Sequence, residues 1–201
     1  MHISEGLLSG PVLLSGAVLA AAGTGIGLKK LDYDQIAKAG MLSAAFFVAS
    51  LVHVPIGPSN AHLILNGLLG LLLGWGAFPA ILVALVLQAV FFQFGGITTL
   101  GVNTVIMALP ATFCYLIFGW FIHKNPRTAV IAAFACGFLS VLLSGLLVAL
   151  SLIFTDENFL EVSGIIVAAH LPVMIIEGIV TAICVAFLHK VKAEMLLGKL
   201  D

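Results

Sequence analysis

The chain has 201 residues, 62% hydrophobic and 8% charged, against roughly half apolar and about a quarter charged in ordinary soluble domains. With a mean hydropathy of +1.24 spread along its length, the composition excludes a soluble globular domain and predicts an all-α, polytopic membrane protein. A formal net charge of −1 without any basic arm or stripe excludes nucleic-acid binding as a main role.

Residues 1–10 come first. Met1-His2-Ile3-Ser4-Glu5 lacks the positive n-region of a secretory signal, and no small-residue cleavage pattern follows, so this segment is expected to be mature sequence. Pro11 suits the first turn of a helix. Ten residues reach about 33 Å, enough to enter a helix bundle from its outer face. Apolar stretches bounded by charges, Gly/Pro pairs or polar clusters then predict seven spans, over residues 11–28, 36–54, 61–76, 78–94, 98–122, 128–154 and 162–188. The third is short for a full crossing and is separated from the fourth only by a turn at Gly74, Gly76 and Pro79. The expectation is a single membrane domain, 1–201, made of the segment 1–10, the seven-transmembrane-helix bundle 11–188 and a tail 189–201.

Alternating topology puts all eight Lys and Arg residues on one side: Lys29, Lys30 and Lys38, then Lys124 and Arg127, then Lys190, Lys192 and Lys199. The other side receives Glu5, the uncharged 53–61 loop, the Gly95-Gly96 turn and the acidic Asp156, Glu157 and Glu161. Positive charge concentrates in cytoplasmic loops, which predicts an outer N-terminus and a cytoplasmic C-terminus. Trp75 and Trp120 fall at inner helix ends, an interfacial position that suits indoles. Cys114, Cys136 and Cys184 sit singly in apolar stretches without CxxC spacing and read as small core residues.

Topology also sorts the six histidines. His123 and His189 lie beside cytoplasmic cations and read as interfacial. His2, His53, His62 and His170 all fall toward the outer side, and four imidazoles there, in a chain so poor in polar groups, point to a divalent transition metal. With a free amine on Met1, that amine, the deprotonated backbone nitrogen of His2 and its Nδ1 can close fused five- and six-membered chelate rings on one ion. A fourth nitrogen from another histidine completes a square plane, which suits nickel(II) or copper(II) rather than zinc, calcium or magnesium. The bland reading is that His2 is merely the second residue of a frayed terminus.

Met1-His2-Ile3 with Glu5-Gly6, the run Gly57-Pro58-Ser59-Asn60-Ala61-His62-Leu63 leading into Asn66-Gly67-Leu68-Leu69-Gly70, and Gly95-Gly96-Ile97-Thr98-Thr99-Leu100-Gly101-Val102-Asn103 resemble the CbiM/NikM family. Ile176-Glu177-Gly178-Ile179-Val180-Thr181 is similar to that family's last-helix pattern. These are the substrate-binding membrane subunits of energy-coupling factor transporters for cobalt and nickel, and the resemblance covers essentially the whole chain. It implies a seven-helix fold whose extra first helix carries the N-terminus into the bundle, and a metal held by Met1, His2 and His62. It also implies a transmembrane coupling subunit, cytoplasmic ATPase subunits and a small accessory membrane subunit as partners, in the plasma membrane of a prokaryote. No resident cofactor is expected; nickel(II) or cobalt(II) is the transported ligand. The sequence departs from the family where Ser-Val-His or Ser-Ser-His is frequent: here Asn60-Ala61 precedes His62.

Around that set, Asn66 follows His62 by four residues, which on one helix face would let it orient the imidazole. Thr99 and Asn103 are either helix-start hydrogen-bonding residues or part of the site. His53 is a ligand gate or a loop residue. His170 and Glu177 are seven apart on one helix face, with Glu177 near the bilayer middle, where an ionisable group needs a partner. Glu177 is equally a structural anchor or a participant in proton release, and is not read as a ligand. Ala17, Ala21 and Gly25, like Gly16, Ala20 and Thr24, recur every four residues; Gly70 and Gly74 repeat the spacing. Such rows serve internal packing or contact with a partner helix. No Walker A pattern is present, since Gly198-Lys199 is followed by Leu200, so the chain has no P-loop for ATP hydrolysis and is not read as an enzyme. A metalloenzyme is disfavoured by the lack of HExxH. A stand-alone channel or secondary transporter, the alternative reading, lacks its usual inverted repeats and rows of intramembrane carboxylates.

Overall fold

The computed structural model describes residues 2–51, 53–56 and 59–196, without the side chains of residues 53–61 and Val162. Helix α1 (Gly10–Lys30) begins with Pro11 in its first turn and ends on Lys29 and Lys30, whose charges complement the helix dipole. After α2 (Tyr33–Ala49) the chain forms an antiparallel hairpin of β1 (His53–Ile56) and β2 (Ser59–His62), with His53 opposite His62 in the register. Helix α3 (Asn66–Leu73) is joined to α4 (Ala77–Phe92) by one 3-10 turn, Gly74–Gly76. Then follow α5 (Leu100–Phe118) and α6 (Pro126–Ile153), the latter capped by the Asn125 side chain, which accepts from the Thr128 N–H. The last two helices are α7 (Leu160–Ala169) and α8 (Leu171–Val191).

Among the described residues five stretches are long and apolar enough to cross a membrane: Gly10–Lys30, Asn66–Phe92, Leu100–Phe118, Pro126–Ile153 and Glu157–Val191. Large apolar side chains such as Leu14, Val90, Leu116, Ile131, Ile165 and Ile183 point away from the bundle, as lipid-facing positions require. Among the described residues every regular element apart from the hairpin is helical.

Three local expectations need correction. Residues 53–61, expected as a loop, contribute both strands of the hairpin. The stretch 61–76 is helical only from Asn66, so α3 has 8 residues, about 12 Å against a hydrocarbon core of about 30 Å. His62 therefore closes β2 rather than opening a helix. The cause is a distant group: the N–H groups of Ile64 and Leu65 both donate to the buried carboxylate of Glu177 on α8, and Leu65 has a left-handed φ of 54°. The stretch 162–188 is likewise interrupted at His170, between α7 and α8.

Helix α5 runs through the core, with Ile106, Met107, Ala108 and Ala111 all buried. Helix α1 lies close against it: a Cβ on Gly101 would come within 2.6 Å of the Ala17 backbone, and one on Gly16 would collide with Val102. Small residues are what allow helix backbones this near in lipid. The buried face of α1 is Gly16, Ala20, Gly23 and Gly27. Ala17, Ala21 and Gly25 are exposed, and a Cβ on Gly25 would meet only open space. Gly70 and Gly74 pack internally, on Ala111 and Tyr115.

Candidate metal centre

The N-terminal segment is docked by backbone hydrogen bonds rather than left frayed. The Ile3 N–H donates to Asn103 Oδ1 at 3.0 Å, and Asn103 Nδ2 donates back to the Ile3 carbonyl at 3.1 Å and to Thr99 Oγ1 at 3.2 Å. Two residues on, the Glu5 N–H donates to the Gly95 carbonyl at 3.0 Å. The Glu5 carboxylate accepts from Thr98 N at 2.9 Å and Thr98 Oγ1 at 3.2 Å, bonds that hold its pKa below the usual 4.5. Gly95 and Gly96 make the approach possible, with φ values of 76° and 125° that suit only glycine. A Cβ on Gly95 would lie 2.7 Å from Asn103 Nδ2, and one on Gly96 would collide with Glu5.

This docking sets the His2 imidazole against that of His62, with ring centroids 4.8 Å apart and planes inclined by 30°. His2 Nδ1 and His62 Nε2 are separated by 3.1 Å. The other nitrogen of each ring is occupied. His2 Nε2 lies 2.7 Å from Gln88 Oε1, and His62 Nδ1 lies 3.0 Å from the Leu63 carbonyl oxygen. Both partners are acceptors, so both of those nitrogens carry the hydrogen. Burial, opposed by the Gln88 bond, pushes the His2 pKa down to about 3. The two facing nitrogens thus lie at hydrogen-bond distance from one another, and an imidazole nitrogen that carries no hydrogen is a donor suited to a transition metal.

The structure places the other expected residues as follows. Met1, expected to supply an amine, lies outside the described residues. His53 pairs with His62 in the hairpin register, and its side chain, expected as a possible gate, lies outside the description. Thr99 and Asn103 hold the N-terminal segment rather than a metal. Asn66 does not touch the His62 imidazole, because the helix that would have aligned them starts too late; its amide is spent on Met107, Ser140 and Ser144. His170, 2% exposed, has Nδ1 bonded to the Ile166 carbonyl at 2.7 Å, and its Nε2 has no partner among the described residues. Glu177 anchors the backbone just beyond His62. Among the described residues no group of three or more His, Cys, Asp or Glu side chains gathers.

Two residues escaped the sequence reading, Gln88 and Ser50. Gln88 is the only polar side chain between Ala77 and Phe92, and a lone polar group at membrane depth signals a buried partner. Nothing in the sequence identifies that partner as His2, 86 residues away.

Residues 2–195 match the family model described as the cobalt uptake substrate-specific transmembrane region, CbiM. The chain belongs to the CbiM family. A putative metal transport protein of Haemophilus influenzae is 39% identical over 201 residues, covering 98% of this chain and 97% of its own. A fused nickel transport protein, NikMN, of Rhodobacter capsulatus is 39% identical over 116 residues, which are 54% of this chain and 33% of the fusion. The crystal structure of a truncated transition metal transporter superposes with a TM-score of 0.83 at 27% identity, covering 94% of this chain and 99% of that one. CbiM membership and the five apolar stretches together make this a multi-pass membrane protein of the prokaryotic plasma membrane, a transmembrane component of transition-metal uptake.

Proposed function

We propose that this CbiM-family chain is the metal-capturing subunit of an ATP-driven energy-coupling factor importer, binding nickel(II) or cobalt(II) on the outer side of the bundle. The ligands are His2 Nδ1, His62 Nε2, the His2 amide nitrogen and the Met1 amine. The observation that carries this reading is the 3.1 Å approach of two imidazole nitrogens whose opposite nitrogens are both held as donors. A metal about 2.0 Å from each nitrogen puts neighbouring ligands of a square plane about 2.8 Å apart, so a few tenths of an ångström of closure admits the ion. Four protein nitrogens leave no open position for a substrate, which favours carriage over catalysis.

The chain forms one membrane domain of seven crossings: α1, α2, the hairpin with α3, α4, α5, α6, and α7 with α8. The one-sided distribution of Lys and Arg supports an outer N-terminus and a cytoplasmic C-terminus. Energy comes from partners, a transmembrane coupling subunit, cytoplasmic ATPase subunits and a small accessory membrane subunit; the NikMN fusion, of which the matched region is a third, supports such modules. The exposed row Ala17, Ala21 and Gly25 is the surface offered to the coupling subunit. Between the two ions, a square plane of nitrogens and the Irving–Williams order favour nickel.

Calorimetric titration of the chain with a free Met1 amine is expected to give one tight site for nickel, with cobalt displaced in competition. His62→Ala, and separately one extra residue before Met1, should each weaken nickel binding by more than about 100-fold, beyond the 10–100-fold typical of residues that only support a ligand. Unchanged affinity in both variants overturns the ligand set. Metal flux through the purified chain in liposomes, without partners or ATP, would instead establish a channel.

A further inference from the structure

Helix α1 has 21 residues, so it carries Lys29 and Lys30 about 30 Å from the end that bears the N-terminal segment. At this far end a cavity of about 310 Å³ opens between the last turn of α1, the Gly74–Gly76 turn and the end of α5. Its lining is of two kinds. Lys29, Lys30 and His123 stand there with a single carboxylate, Asp32, while the apolar side includes Leu72 and Leu116. Neither lysine makes an ion pair among the described residues. His123 Nδ1 is shut off from solvent and has no hydrogen-bond partner among them, a condition that buried polar atoms rarely tolerate without a ligand. Leu72 is buried, but Leu116 is 63% exposed, on the lipid-facing side. The cavity therefore joins a cationic rim to the hydrocarbon.

We infer that this cavity binds the phosphodiester headgroup of an anionic glycerophospholipid from the leaflet at this end of the bundle, with the acyl chains running past Leu116. Basic pockets between transmembrane helices recognise such headgroups. The charges match: two ammonium groups less the Asp32 carboxylate leave one positive charge, which the single negative charge of a phosphodiester balances. A choline headgroup brings a further cation beside Lys29 and Lys30 and is disfavoured. A partner helix is too large, because one turn with its side chains, about 10 Å across and 5.4 Å high, fills roughly 400 Å³. The inference is independent of the metal ligands and of the partner subunits, since none of the residues it uses touches His2 or His62.

The test is native mass spectrometry of the detergent-solubilised full chain after titration with phosphatidylglycerol, phosphatidylcholine or inorganic phosphate, read beside the melting temperature. The wild-type chain should retain one phosphatidylglycerol and melt higher with it, and should do neither with phosphatidylcholine. Each cation at an anionic headgroup is worth about fivefold, so Lys29→Gln with Lys30→Gln should weaken retention roughly 30-fold. Arg127→Gln with Lys190→Gln removes the same charge from residues outside the cavity lining and should weaken it less than about threefold. His123→Leu, on a different element from the lysines, should weaken it at least about tenfold, the worth of a hydrogen bond to a charged group. Retention at the wild-type level in either cavity variant overturns the inference. Equal losses in the two pairs of charge removals mean diffuse attraction to anionic lipid and overturn it as well. Phosphatidylcholine retained as firmly as phosphatidylglycerol does the same. Inorganic phosphate that alone raises the melting temperature as far as phosphatidylglycerol marks a soluble anion and overturns the lipid as its source.

Discussion

His62 and Asn66 are four residues apart in the chain and both are buried, yet the polar clusters built on them are opposites. Around Asn66 every capacity is used: Nδ2 donates to the Met107 carbonyl and to Ser144 Oγ, and Oδ1 accepts from Ser140 Oγ and the Gly67 N–H. The cluster ties α3 to α5 and α6 and has nothing left for a ligand. Around His62 the outward nitrogens are equally well held, by Leu63 and Gln88, while the inward nitrogens of the two rings meet only 3.1 Å apart, on residues 60 positions distant in the chain. A closed network rigidifies a fold. The histidine pair, carried on a docked segment that reaches it from another part of the chain, is the place proposed for the ion.

The strongest way to break this contrast is to exchange its outcomes. Asn66→Leu removes partners from buried groups on three helices and is expected to cost about 1–3 kcal/mol of stability per group left unpaired, seen as a lower melting temperature. Its nickel affinity should stay within about threefold of wild type, well short of the change expected even for a supporting residue. His62→Ala should do the reverse, with binding lost and melting nearly unchanged. If Asn66→Leu abolishes binding in a chain that still melts cooperatively, the closed cluster is part of the site.

A smaller effect should follow from Asn103→Ala. It frees both backbone groups of Ile3 and lets the segment carrying His2 drift, so nickel should weaken about tenfold by titration while the bundle melts as before. Smallest of all is the contribution of Glu5, which is solvent-exposed. Its docked carboxyl titrates below the usual value because Thr98 bonds favour the ionised form, so the undocked segment binds more protons and docking weakens as pH falls. The contribution is complete above about pH 4.5 and is lost as pH drops through the lower docked value. The Thr98 amide resonance should follow that loss in the wild-type chain and be insensitive to it in Glu5→Gln.

Much of the framework was legible in the sequence because it depends on local composition. The apolar runs at 11–28, 98–122 and 128–154 correspond to α1, α5 and α6 to within a few residues, since a segment that must satisfy its backbone in lipid has little choice but helix. His2 and His62 were identified and are brought together. The errors fall where a distant group overrides the local preference. Residues 61–65 are apolar enough for helix, but Glu177, more than a hundred positions later, takes the Ile64 and Leu65 N–H groups, and the helix starts at Asn66 instead. The expected help from Asn66 to His62 fails for the same reason.

The scarcity of charge by itself determined a membrane protein, while the one-sided cations and the grouped histidines supplied the expectation of a nitrogen-rich outer site. Those are properties of side-chain chemistry counted along a chain that lipid forces into helices. Which nitrogens face each other and which residues hold them there were decided only by tertiary structure. His2 meets Gln88, and Gln88 meets Ser50, across sequence separations of 86 and 38 residues. Hydrogen bonds over such separations depend on positions in space, and those positions have no signature in the order of the residues.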